Sequence, residues 1–138
     1  MEIGVKLDAG ALMPEKAHST DAGYDLRTPY EFTVEAGRSE VVFTGVHMVI
    51  PAGYCGLLVS KSGLNTKNDV QTTGLVDSEY TGGIVVKVQN HGKKDYHFNK
   101  GDKVSQIVIL PLPETTLTMI DDLPCTERGS RGFGSTGR

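Results

Sequence analysis

Short stretches in which apolar and polar residues alternate recur along the whole chain. A period of two predicts a β-strand with one buried face, because successive side chains of a strand point to opposite faces. One further stretch, residues 62–67, has the composition of a single short helical turn. The alternating positions are Tyr30, Phe32 and Val34; Val46, Met48 and Ile50; Ile84, Val86 and Val88; Val104, Gln106 and Val108; and Leu117 and Met119.

Turn-forming residues separate these predicted strands. Glycine occurs at residues 35–37, 51–53, 90–92 and 99–102, and the last three of these turns also contain proline or asparagine. Such residues allow the chain to reverse direction within a few positions. Val, Ile and Thr, which favour strands, also far outnumber Ala, the strongest helix former. The sequence therefore predicts an all-β fold, an antiparallel sandwich or barrel.

Length and charge narrow the class of protein further. At 138 residues the chain can form one domain with its own core. None of its apolar runs approaches the about 20 residues that a membrane-spanning helix needs. The net charge of −3 provides no general attraction for nucleic acid, so any phosphate site must be local. We therefore expect neither a membrane nor a nucleic-acid partner.

Cysteine and histidine usage gives no sign of a metal centre or a nucleophile. Cys55 and Cys125 could form one bridge but no disulfide framework, which fits a reducing compartment, and Cys55 is expected to be a small buried apolar group. The histidines have no Ser or Cys nucleophile motif nearby and are interpreted as surface or hydrogen-bonded residues. They are His18, His47, His91 and His97.

The C-terminal residues 128–138 differ in composition from everything before them. They combine glycines and arginines with hydroxyl side chains and one aromatic residue, Phe133. Such a segment cannot build a core, but its backbone N–H groups and guanidinium groups can surround phosphate, and Phe133 can stack on a base. We expect a β domain over residues 1–127 and a flexible arm over residues 128–138. A solvated tail is the alternative that the composition leaves open.

Two internal stretches also carry polar groups next to glycine. Residues 60–64 place Lys61 and Ser62 beside Gly63, a trio that can bind phosphate or form an ordinary polar turn. Residues 74–83 place Asp77 three positions before Tyr80, between two predicted strands. Asp77 could be a general base or a turn-capping residue. The residues alone leave both alternatives open in each stretch.

Five segments, taken in chain order, resemble the ordered motifs of the trimeric dUTPases. They are residues 22–26, 61–64, 74–80, 101–106 and 128–137, so the resemblance spans nearly the whole chain. It implies a jelly-roll-like β-sandwich subunit that forms a homotrimer with active sites shared between chains. The reaction implied is hydrolysis of dUTP to dUMP and pyrophosphate, in the cytoplasm, or in the host cytoplasm if the source is a virus.

The resemblance also implies a role for each motif residue. Asp77 would deprotonate the water that attacks the α-phosphorus, and Tyr80 would lie against the deoxyribose and leave no room for a 2′-hydroxyl. The β-hairpin around them would read uracil, and an arm residue would stack on it. The uracil-reading residues would be Gln71, Gly74, Leu75, Val76 and Val85, with Phe133 as the stacking residue.

The remaining motif residues would hold the triphosphate and its metal ion. The α- and β-phosphates would be contacted by Lys61, Ser62, Gly63 and Gln106, and the γ-phosphate side would meet the arm through Arg128, Gly134, Ser135 and Thr136. Mg²⁺ would be chelated by the triphosphate itself, while Asp25 holds its water ligands rather than the ion. Closure of the arm would exclude bulk water.

The sequence departs from the usual pattern of the family at two positions. Lys61 stands where the family usually has arginine, and an ammonium group cannot make a planar two-pronged contact to phosphate. Arg131 occupies an arm position that is commonly small. Neither change touches Asp77, Tyr80 or Phe133.

Three other functions remain open at this point. A dCTP deaminase, or a bifunctional deaminase and dUTPase, shares the fold, but the Asp77-to-Tyr80 spacing and the arm are of the dUTPase type. A regulatory protein with a dUTPase-like fold could present a nucleotide-sensitive surface to a protein partner. A non-catalytic jelly-roll domain of the capsid or lectin type would have no reason to keep Asp77 together with such an arm.

Overall fold

The computed structural model describes residues 1–137, and strands dominate it. Only one short helix, α1, occurs in these residues, at Ser62–Asn68, close to its predicted position. The strands are β1 (Gly4–Leu7), β2 (Tyr24–Arg27), β3 (Phe32–Val34), β4 (Ser39–Phe43), β5 (Val46–Val49), β6 (Tyr54–Val59), β7 (Val70–Val76), β8 (Val85–Asn90), β9 (Tyr96–Phe98) and β10 (Lys103–Pro111). The all-β prediction is confirmed.

The strands form one large sheet and two small ones around a single core. The six-stranded sheet has the order β2-β10-β6-β7-β8-β4, and β1 pairs with β5 while β3 pairs with β9. Each of these pairings is antiparallel. The core joins side chains of all three sheets, among them Leu26, Val34, Met48, Val86, Phe98 and Ile107. These pairings confirm the antiparallel all-β arrangement that the sequence predicts.

Glycines with positive φ make three of the predicted turns. Gly37, Gly53 and Gly101 have φ values of 72°, 84° and 89°, a region that side chains with a Cβ rarely enter. A backbone hydrogen bond closes each turn, for example from Tyr54 N to Pro51 O at 3.2 Å. These turns set the pairing of the strands on either side of them.

Strand β10 differs from its predicted alternation. The sequence places Val104, Gln106 and Val108 on the buried face, yet Val104, Ser105 and Ile107 are the fully buried residues. The pairing with β2 shifts register between Lys103 and Ser105, and such a bulge moves later side chains to the opposite face. Because of this shift, Gln106 lies on the outer face of the sheet, where the candidate site is.

The strand predicted at Leu117 and Met119 is wrong. Strand β10 ends at Pro111, and residues 112–137 form no helix or strand and are exposed along their whole length. Leu117 and Met119 are 99% and 96% exposed. Alternation produces a strand only where a neighbouring edge can pair with it, and within one chain this segment meets none.

Cys55 is buried in β6, as predicted, while Cys125 is exposed, and both are free thiols. Helix α1, the only helix within residues 1–137, is too short and too polar to cross a membrane.

Candidate active site

The order of the strands brings three predicted site residues together at one edge of the large sheet. Gln106 on β10 lies directly opposite Asp25 on β2 and Val59 on β6. Lys61 follows two residues after Val59, at the end of β6. The Gln106 Nε2 group donates to the Ser60 carbonyl at 3.1 Å, which ties β10 to the chain that leads into α1.

The Asp25 carboxylate is held between two lysine ammonium groups. Lys61 Nζ donates to one carboxylate oxygen, and Lys103 Nζ lies 2.7 Å from the other. The Asp25 side chain is only 6% exposed. Burial raises the pKa of this carboxyl, but the hydrogen bonds from Lys103 and Lys61 outweigh it and hold the pKa below its ordinary value of 3.8. Asp25 is therefore ionised at neutral pH.

This cationic cluster, defined as Asp25, Lys61 and Lys103, carries one more positive than negative charge. A net positive charge beside exposed polar groups suits a phosphate anion. Sequence reasoning missed Lys103 as a site residue, although it lies inside the motif at residues 101–106. Its pairing with Asp25 depends on the contact between β2 and β10, which the sequence does not reveal.

Ser62 and Gly63 lie next to this cluster in the first turn of α1. Both are exposed, and the space around the Gly63 Cα is open. Lys61 precedes the helix in an extended conformation, and Asp69 ends it in the left-handed conformation with φ 55°. The first turn therefore leaves its backbone N–H groups facing solvent beside the lysines.

A second group of predicted residues lines a pocket at the hairpin of β7 and β8. Its cavity measures about 260 Å³, near the lower end of small-molecule sites. The lining includes six predicted site residues: Gly74, Leu75, Val76, Asp77, Tyr80 and Val85. Leu58, Gly83 and Ile84 complete it. We call this the hairpin pocket.

The loop between β7 and β8 fixes the position of Tyr80. The Tyr80 ring lies over Gly82, and its hydroxyl donates to the Gly83 carbonyl at 3.2 Å. Glu79 adopts a positive φ of 66°, and its N–H points to the Ile50 carbonyl at 3.4 Å. The Asp77 carboxylate is exposed at the mouth of the pocket. Sequence reasoning did not single out Gly82, although the two consecutive glycines at residues 82–83 were its signal.

Within one chain the structure does not bring these two groups together. Val59 of β6 pairs with Thr73 of β7, and Gly56 pairs with Val76, so the cationic cluster and Asp77 lie toward opposite ends of β6. Lys61 stands six residues beyond the position level with Asp77, which corresponds to about 20 Å along a strand. Gln71, predicted to read uracil, lies on β7 outside the pocket lining.

The arm residues are also apart from both groups. Phe133 is fully exposed, and the predicted contacts Arg128, Gly134, Ser135 and Thr136 are exposed as well. Local hydrogen bonds shape the segment: Arg128 Nε donates to the Arg131 carbonyl at 2.9 Å and Arg131 Nε to the Arg128 carbonyl at 3.1 Å. Arg138 lies outside the described residues.

The donor set near the cationic cluster fits only one kind of metal binding. Among residues 1–137 no three His, Cys, Asp or Glu side chains gather closely enough to form a metal cage. Asp25 offers one carboxylate, beside groups that attract phosphate. Mg²⁺ commonly keeps several waters and binds through one or two carboxylates together with substrate phosphates. The site therefore fits an ion delivered by a phosphorylated substrate and does not fit a protein-only metal centre.

Comparison with known proteins shows which protein family the chain matches. The family model for dUTPase matches residues 10–137. The deoxyuridine 5'-triphosphate nucleotidohydrolase of Saccharomyces cerevisiae is 37% identical over 131 residues, covering 94% of this chain and 89% of that protein.

Solved structures agree with this match. The structure of a Staphylococcus bacteriophage 80alpha dUTPase with dUpNHpp superposes with a TM-score of 0.92 at 30% identity and covers 99% of both chains. A dUTPase from phage phi11 of S. aureus, described with a structural Mg(II) ion, superposes with a TM-score of 0.83 at 29% identity, covering 91% of this chain and 100% of that one.

The all-β fold and these matches together indicate an enzyme of the nucleotide-hydrolase class. The family model, the yeast relative at 37% identity and the phage 80alpha structure at 30% identity each match nearly the whole chain. The chain belongs to the dUTPase family, whose enzyme class is dUTP diphosphatase.

Proposed function

We propose that this protein hydrolyses dUTP to dUMP and pyrophosphate by Mg²⁺-assisted, in-line attack of water on the α-phosphorus. The hairpin pocket is the observation that carries the proposal, because it gathers an exposed carboxylate, a tyrosine ring and backbone polar groups in one cavity. Asp77 acts as the general base on the attacking water. Membership of the dUTPase family supports the choice of dUTP as substrate.

The hairpin pocket selects the base and the sugar. Backbone donors and acceptors along Gly74, Leu75 and Val76 pair with the uracil edge and would be left unmatched by cytosine, whose edge presents the opposite pattern. Unmatched buried polar groups make such rejection strong. Tyr80 covers the deoxyribose and excludes a 2′-hydroxyl, and Val85 closes the cavity beside it. Gln71 contributes from the same strand, outside the pocket lining of the single chain.

The cationic cluster and its neighbours hold the triphosphate. Lys61, the first turn of α1 at Ser62 and Gly63, and Gln106 contact the α- and β-phosphates. When bound, Mg²⁺ draws charge from the phosphate oxygens. Asp25 orients water ligands of that ion, while Lys103 keeps the carboxylate charged and in place through the contact at 2.7 Å.

A homotrimer with active sites shared between chains explains why the two groups lie apart in one chain. A base must come within hydrogen-bond reach of the water it activates. Within one chain, Asp77 and Lys61 are separated by about 20 Å along the direction of β6, so Asp77 is out of reach of a water held at the cationic cluster of the same chain. The exposed segment at residues 112–137 supports the same proposal, because it can extend onto another copy. The arm then closes over the nucleotide, with Phe133 on uracil and Arg128, Gly134, Ser135 and Thr136 on the phosphate side.

A second candidate function is a regulatory role through a protein partner. Among the structural neighbours, phage dUTPases are described as controlling the transfer of virulence genes by a G protein-like mechanism. That statement concerns those proteins, and it supports testing this chain for nucleotide-dependent partner binding. The deaminase alternative has weaker support, because the hairpin pocket and the Asp77-to-Tyr80 spacing fit water attack at phosphorus.

Product analysis tests the reaction directly. Purified protein with Mg²⁺ receives dUTP, dCTP, dTTP or UTP in separate assays, and nucleotides and pyrophosphate are quantified. We expect dUMP and pyrophosphate from dUTP alone, and the Asp77→Asn variant should lose about 10²–10⁴ in rate. Conversion of dCTP would assign the protein to the deaminases, and an Asp77→Asn variant within a few-fold of wild type would remove Asp77 from the role of base.

Complementation tests the sharing of sites between chains. Asp77→Asn and Lys61→Met variants are each expected to be weakly active, and co-expression should restore about a quarter of wild-type activity, because random mixing builds that share of sites from two intact halves. Activity that stays at the level of the separate variants would place both groups of one site on one chain. Co-expression of two Asp77→Asn chains with different tags is the matched control.

A further inference from the structure

His47 links the loop of the hairpin pocket to the N-terminal strand. It lies on β5, and its ring makes two polar contacts at opposite nitrogens. Nδ1 lies 2.8 Å from the Thr81 carbonyl oxygen, in the loop between Asp77 and Val85. Nε2 lies 3.1 Å from the Asp8 carboxylate, just after β1. The side chain is 25% exposed, so it is partly shielded from water.

Both partners of this ring can only accept a hydrogen bond. A backbone carbonyl oxygen and an ionised carboxylate have no proton to donate. A neutral imidazole has one N–H and one lone pair, so one acceptor would face the lone pair. Both contacts are hydrogen bonds at the same time only in the imidazolium form, which donates through both nitrogens. The hydrogen bond to Thr81 and then that to Asp8 raise the pKa of His47 above its ordinary value of 6.5.

The charged neighbours of His47 are few among the described residues. Lys6 is its partner across the pairing of β1 with β5, and it lowers the pKa of His47, whereas Asp8 raises it. The cavities on either side of the ring contain Asp8 and Lys6 as their only ionisable groups besides His47 itself. On the side of the loop, the His47 ring contacts the Thr81 carbonyl. It also lies close to Gly83, where a Cβ added to the backbone would be 3.7 Å from the ring.

We propose that His47 is a positioning residue that, as an imidazolium, clamps the loop of residues 77–83 to Asp8 and thereby sets the orientation of Tyr80 and Asp77. Thr81 directly follows Tyr80 and lies four residues after Asp77. A fixed carbonyl at Thr81 limits rotation of the chain on which the Tyr80 ring rests. The inference rests on the proposed function for its catalytic consequence but not for the clamp itself.

The direction of the pH effect follows from the raised pKa. The clamp is fully formed below pH 6.5 and is lost as pH rises through the higher pKa of the folded state. Activity is therefore expected to fall on the alkaline side, as His47 loses its proton. The alkaline fall is the signature of His47.

The first test measures the clamp without nucleotide. Imidazole NMR of the full chain gives the titration midpoints of His47 and of His97, which contacts Thr33 and Glu31 on β3 and the adjoining turn and serves as the internal control. We expect His47 to titrate above 6.5 and Asp8→Asn to lower its midpoint. Amide exchange at residues 79–83, corrected for intrinsic rates, should accelerate as pH rises through the midpoint.

The second test measures its effect on turnover. His47→Gln retains one donor and should lower kcat/KM for dUTP by about tenfold at pH 6, with the alkaline fall removed. The matched variant His97→Gln should keep the wild-type rate and pH profile. Any of three results would overturn the proposal. They are a titration midpoint of His47 at or below 6.5, amide exchange at residues 79–83 that does not change across the midpoint, and a pH profile of kcat/KM in His47→Gln that equals that of wild type. Wild-type protein without activity on dUTP, but with the expected titration, would reject the proposed function and leave the clamp standing.

Discussion

Replacement of Gly82 by alanine should separate the positioning of Tyr80 from the stability of the fold. A Cβ added at Gly82 would lie 2.5 Å from Tyr80 Cζ and 2.9 Å from Cε2, well inside van der Waals contact. The ring must therefore move by about 1 Å to restore a normal separation of about 3.5 Å. Tyr80 is 47% exposed, so its ring can swing toward solvent without disturbing the core.

The expected result is a selective loss of function. A displacement of about 1 Å in a positioning group can cost on the order of a hundredfold in rate, so kcat/KM for dUTP should fall between tenfold and a hundredfold in Gly82→Ala. The ring that excludes a 2′-hydroxyl is displaced, so the preference for dUTP over UTP should narrow. The melting temperature should stay within about 2 °C of wild type, as for other exposed substitutions.

The assay compares hydrolysis of dUTP and UTP together with thermal unfolding. Gly4→Ala is the matched control, because its added Cβ would meet only Val49, at an ordinary 3.6 Å, and would not contact Tyr80. Wild-type discrimination in Gly82→Ala would refute the reasoning that Tyr80 selects the sugar from this position. A large drop in melting temperature would show that the loop contributes to the core more than its exposure indicates.

Three further predictions concern the cationic cluster and the arm. Truncation after Glu127 should leave the melting temperature unchanged, because the removed residues are exposed, and should lower kcat/KM at least about a hundredfold; unchanged turnover would make the segment a solvated tail. Lys61→Arg should lower KM for dUTP a few-fold through a two-pronged phosphate contact, and a raised KM would contradict this. The lowered pKa of Asp25 adds stability above pH 3.8, and this stability is lost as pH falls through the folded-state pKa. Asp25→Asn should therefore reduce the acid-side pH dependence of the free energy of unfolding, measured with urea. An unchanged pH dependence would show that other carboxyl groups cause it.

Alternation of apolar and polar residues predicted a strand correctly where the fold also provides a neighbouring strand to pair with it. Val86 and Val88 of the predicted alternation lie in β8, Ile84 directly precedes it, and all three side chains are buried. The same pattern at Leu117 and Met119 failed, because pairing depends on a neighbour that sequence periodicity does not contain. The register shift in β10 was equally invisible, since a bulge depends on how β2 and β10 meet.

The sequence by itself determined the fold class, the turns at glycine and, through ordered motifs, the family and the candidate residues. Tertiary structure alone decided which of those residues meet: Asp25 with Lys61 and Lys103, and Tyr80 over Gly82. It also decided that the hairpin pocket and the cationic cluster lie apart on one chain. The physical reason is that composition and periodicity act over a few neighbouring residues, whereas charge pairing and site geometry depend on strand order and register between segments distant in the sequence.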